Sequence, residues 1–427
     1  MTELKSMTYE KIVEFLQNKG NFNEVSYLRE VLNTLDLQID PRKVIIVAGT
    51  NGKGTTCATL QRLLFGIGKN VGLFSSPHME RINERIKFNC IDISDEDFCN
   101  IFRDICLKFK NSIPNLSHFE WLTVMAAYYF FEIHQDDIDF AIFEVGLGGT
   151  KDATNMLPHN FSVITKLGFD HMNVLGNTIE EIAANKFGII QENNTVFHTK
   201  FPGEISALQK KYENEKKAKF IESCDYLLNV DKSRYLPQFF VCTPFGKFKI
   251  NLPGKRAAEN TALALTIFNE IIEPDWSNPH IHERVQSFLE DVHWPCRMER
   301  VMYHDRIIYL SGDHNLQGID SLIEILKHYR YSKIHIVVGI CKDKQHELML
   351  EKLFSISDSV IYLTETPFKT LPITEYSEKF KKSAAFISAN QLETLNYAIN
   401  NSYENDLILV TGSLYLTGEI RKYSTPE

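Results

Sequence analysis

Short apolar runs recur along this chain, each followed by a stretch with helical spacing of its apolar positions. Residues 44–47, 140–145, 161–165, 307–310, 334–338, 359–363 and 407–410 are rich in Val, Ile, Leu and Phe. Runs of this length, bounded by turn residues, predict strands buried on both faces. After the first run, Leu60, Leu63, Leu64 and Ile67 fall at i, i+3, i+4 and i+7, the stripe of an amphipathic helix. Thr178 with Glu181 forms the signature of a capping box and opens another helix. The opening residues, MTELKSMTYEKIVEFLQ, predict a polar amphipathic helix and not a secretion signal. Alternation of strand and helix predicts an α/β protein, with parallel sheets covered by helices on both faces. Residues 226–252 break the rhythm, since YLLNV, QFFVC and KFKINL flank turns such as Thr243–Gly246. They predict a small antiparallel addition. Near 290–300 the chain reads EDVHWPCRMER, and a fresh alternation then begins. The boundary therefore separates 1–296, a parallel-sheet domain with the antiparallel addition, from 297–427, a smaller Rossmann-like α/β domain.

Bulk properties narrow the function. A chain of 427 residues suits two or three domains. A formal charge of −9 argues against nucleic acid or an anionic membrane as the main partner. The 8 cysteines are scattered without a C-x-x-C pair, which predicts reduced thiols and no zinc site or disulfide framework. The richest apolar stretch, 124–131, is too short to span a membrane. A soluble cytoplasmic protein is expected.

Residues 44–60, VIIVAGTNGKGTTCATL, carry the most specific chemistry. A strand, a glycine-rich turn with one lysine and a helix make a phosphate-binding loop, so the first domain is of P-loop type. Gly49, Gly52 and Gly54 let backbone N–H groups approach phosphate oxygens at the positive end of a helix dipole. Lys53 reaches the outer phosphates, and the hydroxyl of Thr55 or Thr56 suits Mg²⁺. The spacing departs from G-x-x-x-x-G-K-[ST], with two residues between Gly49 and Gly52 and an extra glycine after the lysine.

Other positions stand out against their surroundings. Glu144 ends an otherwise apolar strand, where open α/β sheets place ligand chemistry. It is either a Mg²⁺ ligand beside ATP or a carboxylate hydrogen-bonded to a neighbouring loop. His171, in the pair Asp170–His171, either joins the metal shell or is structural. Lys186 shares a helical face with Ile179, Ile182 and Ala183. Its amine either snorkels to water or is desolvated enough to react with CO₂ and form a carbamate. In the second half, His314 lies in a strand-to-helix turn at 311–315, facing ATP phosphates or only stabilising the turn. The turn after 407–410 holds Ser413, as a carboxylate site or a turn alone.

Taken in order, GTNGKGTT (49–56), SSPHMERINERI (75–86), HFEWLT (118–123), EVGLGGTKDATN (144–155), DH (170–171), NKFGI (185–189), WPCRMER (294–300), DHN (313–315), VVGICKDK (337–344) and VTGSLYLTGE (410–419) resemble the folylpolyglutamate synthase/dihydrofolate synthase family of the Mur ligase superfamily. The resemblance implies an ATP-dependent ligase that joins L-glutamate to dihydropteroate, a reduced folate or both, through an acyl phosphate. It implies Ser76, Glu144 and His171 as magnesium ligands, and Asn51, Gly52, Lys53, Gly54, Thr55, Asn260, Arg297 and Ser311 as ATP contacts. Lys186 matches a carbamylated lysine, and Lys53, Lys186 and His314 are the expected catalytic residues. His118, Phe119, Glu120, Trp121, Lys151, Asp152, Ala153 and Ser413 match the substrate side. A monomer acting on small molecules is expected. Departures are visible: Thr150 and Lys151 stand where the family has Arg-Leu, and Ser311, Gly312, Asp313 where it has Asp-Gly-Ala. They raise an alternative, a nucleotide-binding member with lost or changed ligase activity.

Overall fold

The β-branched runs become the centres of two parallel sheets in a computed structural model that describes residues 7–18, 22–109, 113–233 and 236–426. By its contacts the chain falls into two compact units. The first comprises Met1–Tyr226, Thr243–Gly246 and Glu259–Asp291, and the second Leu227–Cys242, Lys247–Ala258 and Val292–Glu427. Sequence reading ran the first domain unbroken to 296, whereas most of the small antiparallel sheet groups with the second unit.

The first unit is built on eight strands: β1 (Val44–Ala48), β2 (Val71–Phe74), β3 (Ile86–Phe88), β4 (Ile91–Asp92), β5 (Phe140–Glu144), β6 (Phe161–Ile164), β7 (Thr195–His198) and β8 (Lys219–Glu222). Their order across the sheet is β4-β3-β2-β5-β1-β6-β7-β8. β1 pairs in parallel with β5 and β6, with Val47 opposite Glu144 and Ala48 opposite Ile164. The loops that follow these strands therefore emerge at one edge. From β1 the chain crosses to β2, and β5 later fills the gap between them, so the winding reverses beside β1. Ligands of open α/β sheets bind at such a reversal. Every residue of β1 is buried, which explains the unbroken apolar run. The expected N-terminal helix is Tyr9–Gln17; residues 1–6 of that expectation lie outside the described residues.

The antiparallel addition is present as β9 (Leu227–Asp231), β10 (Gln238–Thr243) and β11 (Gly246–Ile250). The second unit then builds β12 (Arg297–Tyr303), β13 (Arg306–Ser311), β14 (Ile334–Val338), β15 (Ser359–Thr364), β16 (Phe386–Ser388), β17 (Leu407–Thr411) and β18 (Thr425–Pro426). Their order is β16-β15-β14-β17-β13-β12-β18. The five strands from β16 to β13 are parallel, as a Rossmann-like domain requires, and β12 is antiparallel to β13. The cysteines are free. Among the described residues no helix is long and apolar enough to cross a membrane.

Candidate active site

In the first unit the loop after β1 leads into helix Lys53–Gly66, with Gly52 at its N-cap in the left-handed region, φ +92°. A Cβ on Gly52 would lie 2.3 Å from Asn260 Oδ1, and one on Gly49 would lie 1.8 Å from Thr165 Oγ1. Both glycines are therefore required by close approach. The loop is latched to the segment after β6. Thr50 N–H donates to Lys166 O at 2.9 Å, Thr50 Oγ1 to Gly168 O at 2.8 Å, and Thr165 Oγ1 to Asn51 O at 2.9 Å. The N–H groups of the helix start, from Lys53 through Gly54 and Thr55, are thereby held at the ligand edge. Thr56 is fully buried, and Thr55 nearly so.

Two lysines converge on one backbone oxygen. Lys53 Nζ donates to Gly49 O at 3.1 Å and Lys186 Nζ to the same oxygen at 3.0 Å. Lys186 belongs to helix Ile179–Phe187, whose capping box of Thr178 and Glu181 forms as expected. Its side chain does not snorkel, because the residue is only 3% exposed. Burial first, and then the charge of Lys53, bring its amine down to about 7, against the opposing pull of Asp170 and Asp152. An amine brought down this far loses its proton more readily than an ordinary lysine.

At the adjacent strand ends Glu144 is buried, and one of its carboxylate oxygens accepts the Ser76 N–H at 3.0 Å. Sequence-distant residues, both expected as metal ligands, are thus brought together. His171 follows β6 in the left-handed region and caps the short helix Met172–Leu175, its Nε2 3.9 Å from Asp170 Oδ2. Among the described residues no group of three His, Cys, Asp or Glu side chains could hold a metal. A lone strand-end carboxylate with a hydroxyl residue beside a phosphate loop nevertheless suits Mg²⁺, which takes one or two carboxylates plus phosphate oxygens and water.

The substrate-side residues divide. Phe119 packs on Phe74 with ring centroids 5.4 Å apart, and its ring lies against Gly146 just beyond β5. His118 opens helix His118–Tyr128; its Nδ1 is buried without a hydrogen-bond partner, and burial followed by the charge of Arg85 depresses its pKa. Three of the expected residues are buried with protein partners of their own. Trp121 is fully buried between Phe15 and Phe102, a core residue. Glu120 is buried because its carboxylate closes the capping box on Ser117 and receives the Asn23 N–H and side-chain amide. Asp152 receives the N–H groups of Gly146, Leu147 and Thr154 and the Thr154 hydroxyl, so it shapes the loop after β5. Ala153 is buried in the turn that follows, and Lys151 is exposed, 3.8 Å from Glu24. Thr150, the departure beside them, anchors its hydroxyl on Asn185 O at 2.9 Å.

The second unit carries its own set at the carboxyl ends of β13 and β17. His314 Nδ1 sits 2.9 Å from Gly312 O, so this nitrogen carries the proton in the neutral ring and Nε2 is the basic one. Asn315 caps helix Leu316–Leu326. Arg297 begins β12, its Nη1 donating to Cys296 O at 3.3 Å. Ser311, an expected ATP contact, ends β13. It is buried, and its hydroxyl donates to Asp313 Oδ2 at 2.7 Å. Ser413 is also buried, its hydroxyl accepting the Tyr415 N–H as a helix cap. Sequence reasoning missed Arg256, which donates to Asp313. Its signal was a cation in the first turn of helix Lys255–Ile272, where the dipole disfavours one.

The chain matches the Mur ligase middle domain over residues 123–268 and the Mur ligase glutamate ligase domain over 296–414. It is 34% identical over 398 residues to a dihydrofolate synthase/folylpolyglutamate synthase of Bacillus subtilis (strain 168), covering 88% of this chain and 89% of that protein. Among solved structures it is similar to the apo form of L. casei FPGS, with a TM-score of 0.81 and 25% identity over 97% of this chain and 99% of that one. An FPGS-AMPPCP complex matches with a TM-score of 0.80 and 26% identity, over the same shares of the two chains.

Proposed function

Because this chain belongs to the dihydrofolate synthase/folylpolyglutamate synthase family of Mur ligases, we propose a mechanism in which its own residues carry out glutamate ligation. The protein is an ATP-dependent ligase that adds L-glutamate to dihydropteroate, a reduced folate or both. The convergence of Lys53 and Lys186 on Gly49, at the edge where Glu144 ends β5, is the observation that best supports the residue roles below.

A free carboxylate is a poor acyl donor, so a carboxylate oxygen of the pterin substrate first attacks the γ-phosphorus of ATP and ADP departs. Backbone N–H groups of the loop and the Lys53 ammonium stabilise the charge spreading over the transferred phosphoryl oxygens. Mg²⁺, held by Glu144, Ser76 and His171, would add Lewis-acid stabilisation of the same charge. Asn260 and Arg297 contribute to holding ATP. Phe119 and His118 receive the pterin side, with Phe119 offering a ring face. The glutamate nitrogen then attacks the acyl carbon and phosphate leaves. His314 Nε2 takes the proton that the glutamate ammonium must lose before its lone pair can attack. The Lys186 amine adds to CO₂, releasing a proton and leaving a carbamate whose negative charge lies beside Lys53. In keeping with small-molecule chemistry, we place the protein in the cytoplasm as a monomer.

One assay tests this reading. The protein is incubated with ATP, Mg²⁺ and glutamate, with dihydropteroate or tetrahydrofolate supplied separately, and products are identified by mass. Addition of one glutamyl residue to either acceptor, with ADP release, is expected; ADP release without an amide overturns the reading.

A further inference from the structure

Lys186 lies in the last turn of helix Ile179–Phe187, where the final carbonyls have no partner one turn further on. One of them, Asn185 O, has a long bond of 3.3 Å from the Gly188 N–H and is met from outside by the loop after β5. The Thr150 N–H and the Thr150 hydroxyl both donate to it, each at 2.9 Å. Asn155 ties the same two segments together, its side-chain amide donating to Thr150 O at 3.2 Å and to Gly188 O at 3.0 Å. Two glycines make the approach possible. A Cβ on Gly149 would lie 2.7 Å from Lys186 O and 3.0 Å from Lys186 Cα, and one on Gly188 would lie 1.9 Å from Thr150 Oγ1. Loop and helix end therefore meet backbone to backbone at the residue whose amine reaches Gly49 O. All of these residues belong to the first unit. Thr150 is itself exposed, so core burial does not dictate where its hydroxyl goes.

We propose that Thr150 is a positioning residue for ligation, its N–H and hydroxyl fixing the helix end so that the Lys186 amine is held at Gly49 O beside Lys53. The inference rests on the reading above, in which Lys186 takes part in the reaction. It gives a use to the departure at this position, where a short side chain places its oxygen against the helix end. What Thr150 sets is distance, and a misplacement of about 1 Å at a catalytic group can cost about a hundredfold in rate. A methyl at the hydroxyl's place keeps the side chain's shape but needs about 3.3–3.6 Å from a carbonyl oxygen. Thr150→Val therefore removes the bond and pushes the helix end away, whereas Thr150→Ser keeps the hydroxyl.

The test compares the parent, Thr150→Val and Thr150→Ser as full chains, with a melting temperature for each. Lys186 is followed through its ε-carbon resonance in lysine-labelled protein in CO₂-free buffer, with Lys186→Met assigning the signal. Its titration midpoint should stay at the parent's value in Thr150→Ser and rise by about one unit or more in Thr150→Val, as water reaches the amine. In ligation assays Thr150→Val should lower kcat at least about tenfold while KM for ATP changes less than about twofold. Thr150→Ser should recover kcat to within about threefold of the parent. A parent-like midpoint or kcat in Thr150→Val, or a Thr150→Ser that fails to recover them, would overturn the proposal. If Thr150→Val does not fold, Gly188→Ala takes its place and is judged by the same outcomes, because its methyl would stand 1.9 Å from Thr150 Oγ1 and force the hydroxyl off Asn185 O. A parent that forms no amide defeats the ligase reading instead, and the midpoint still judges Thr150.

Discussion

At the scale of single residues, Lys186 shows how a buried amine couples stability to chemistry. Its folded pKa is about 7, against roughly 10.4 for a free lysine. Between these values the unfolded chain holds a proton that the folded chain has lost, so raising the pH favours folding; below both, the dependence vanishes. In CO₂-free buffer, the unfolding free energy of the parent should therefore gain about 1.4 kcal/mol per pH unit over Lys186→Met between those two pKa values. Urea titrations from pH 6 to 10 check this, and a flat difference would mean an amine of ordinary pKa. Labelled bicarbonate should give a carbamate carbon signal in the parent and none in Lys186→Met. Lys53→Ala removes the charge proposed to serve the outer phosphates, and turnover should fall at least about a hundredfold. Near-normal turnover by that folded variant would exclude this loop as the ATP site. The sequence marked Lys186 as out of place on an apolar stripe. Whether it reached water was settled by Gly49 O, a partner 137 residues away.

Among elements, the phosphate loop is governed by Gly52. A side chain there meets two penalties, a left-handed backbone costing about 1–2 kcal/mol and a collision with Asn260. Gly68 provides a control, because its φ is +93° and a Cβ there would meet nothing within 4 Å. Gly52→Ala and Gly68→Ala should both lower stability, yet only the first should weaken ATP binding, by about tenfold or more. Equal ATP affinity in the two variants would show that Asn260 does not gauge the loop. The strands that sequence pattern missed fall into two kinds. β2, VGLF, is interrupted by a glycine, and β7, TVFH, begins and ends on polar side chains, so neither short segment shows a clear apolar run. β12, RMERVMY, mixes charged and apolar positions because Glu299 is buried against Arg421 and His293, so its alternation is broken by a partnered charge.

On the scale of the whole molecule, the residues proposed for phosphate chemistry fall in the first unit and His314 in the second. His314→Ala should therefore leave ATP binding within about twofold of the parent while lowering glutamate ligation at least about a hundredfold. Loss of ATP binding in that variant would instead give His314 a nucleotide role. Local sequence determined the glycine-rich turn, the central strands, the capping box at Thr178 and the ordered motifs, since each depends on residues a few positions apart. It did not reveal which side chains of the expected substrate-side segments are exposed. Glu120, Trp121 and Asp152 lie in a motif-like stretch and read as ligand contacts, yet packing gives them to a capping box, an aromatic core and a loop. The pairing of Ser76 with Glu144, the meeting of Lys53 and Lys186 on one carbonyl, and the hold of Asp313 on Arg256 join residues up to 137 positions apart. Only tertiary structure decided these, because a polar atom's partner is fixed by which strands and helices meet and by the water their meeting removes.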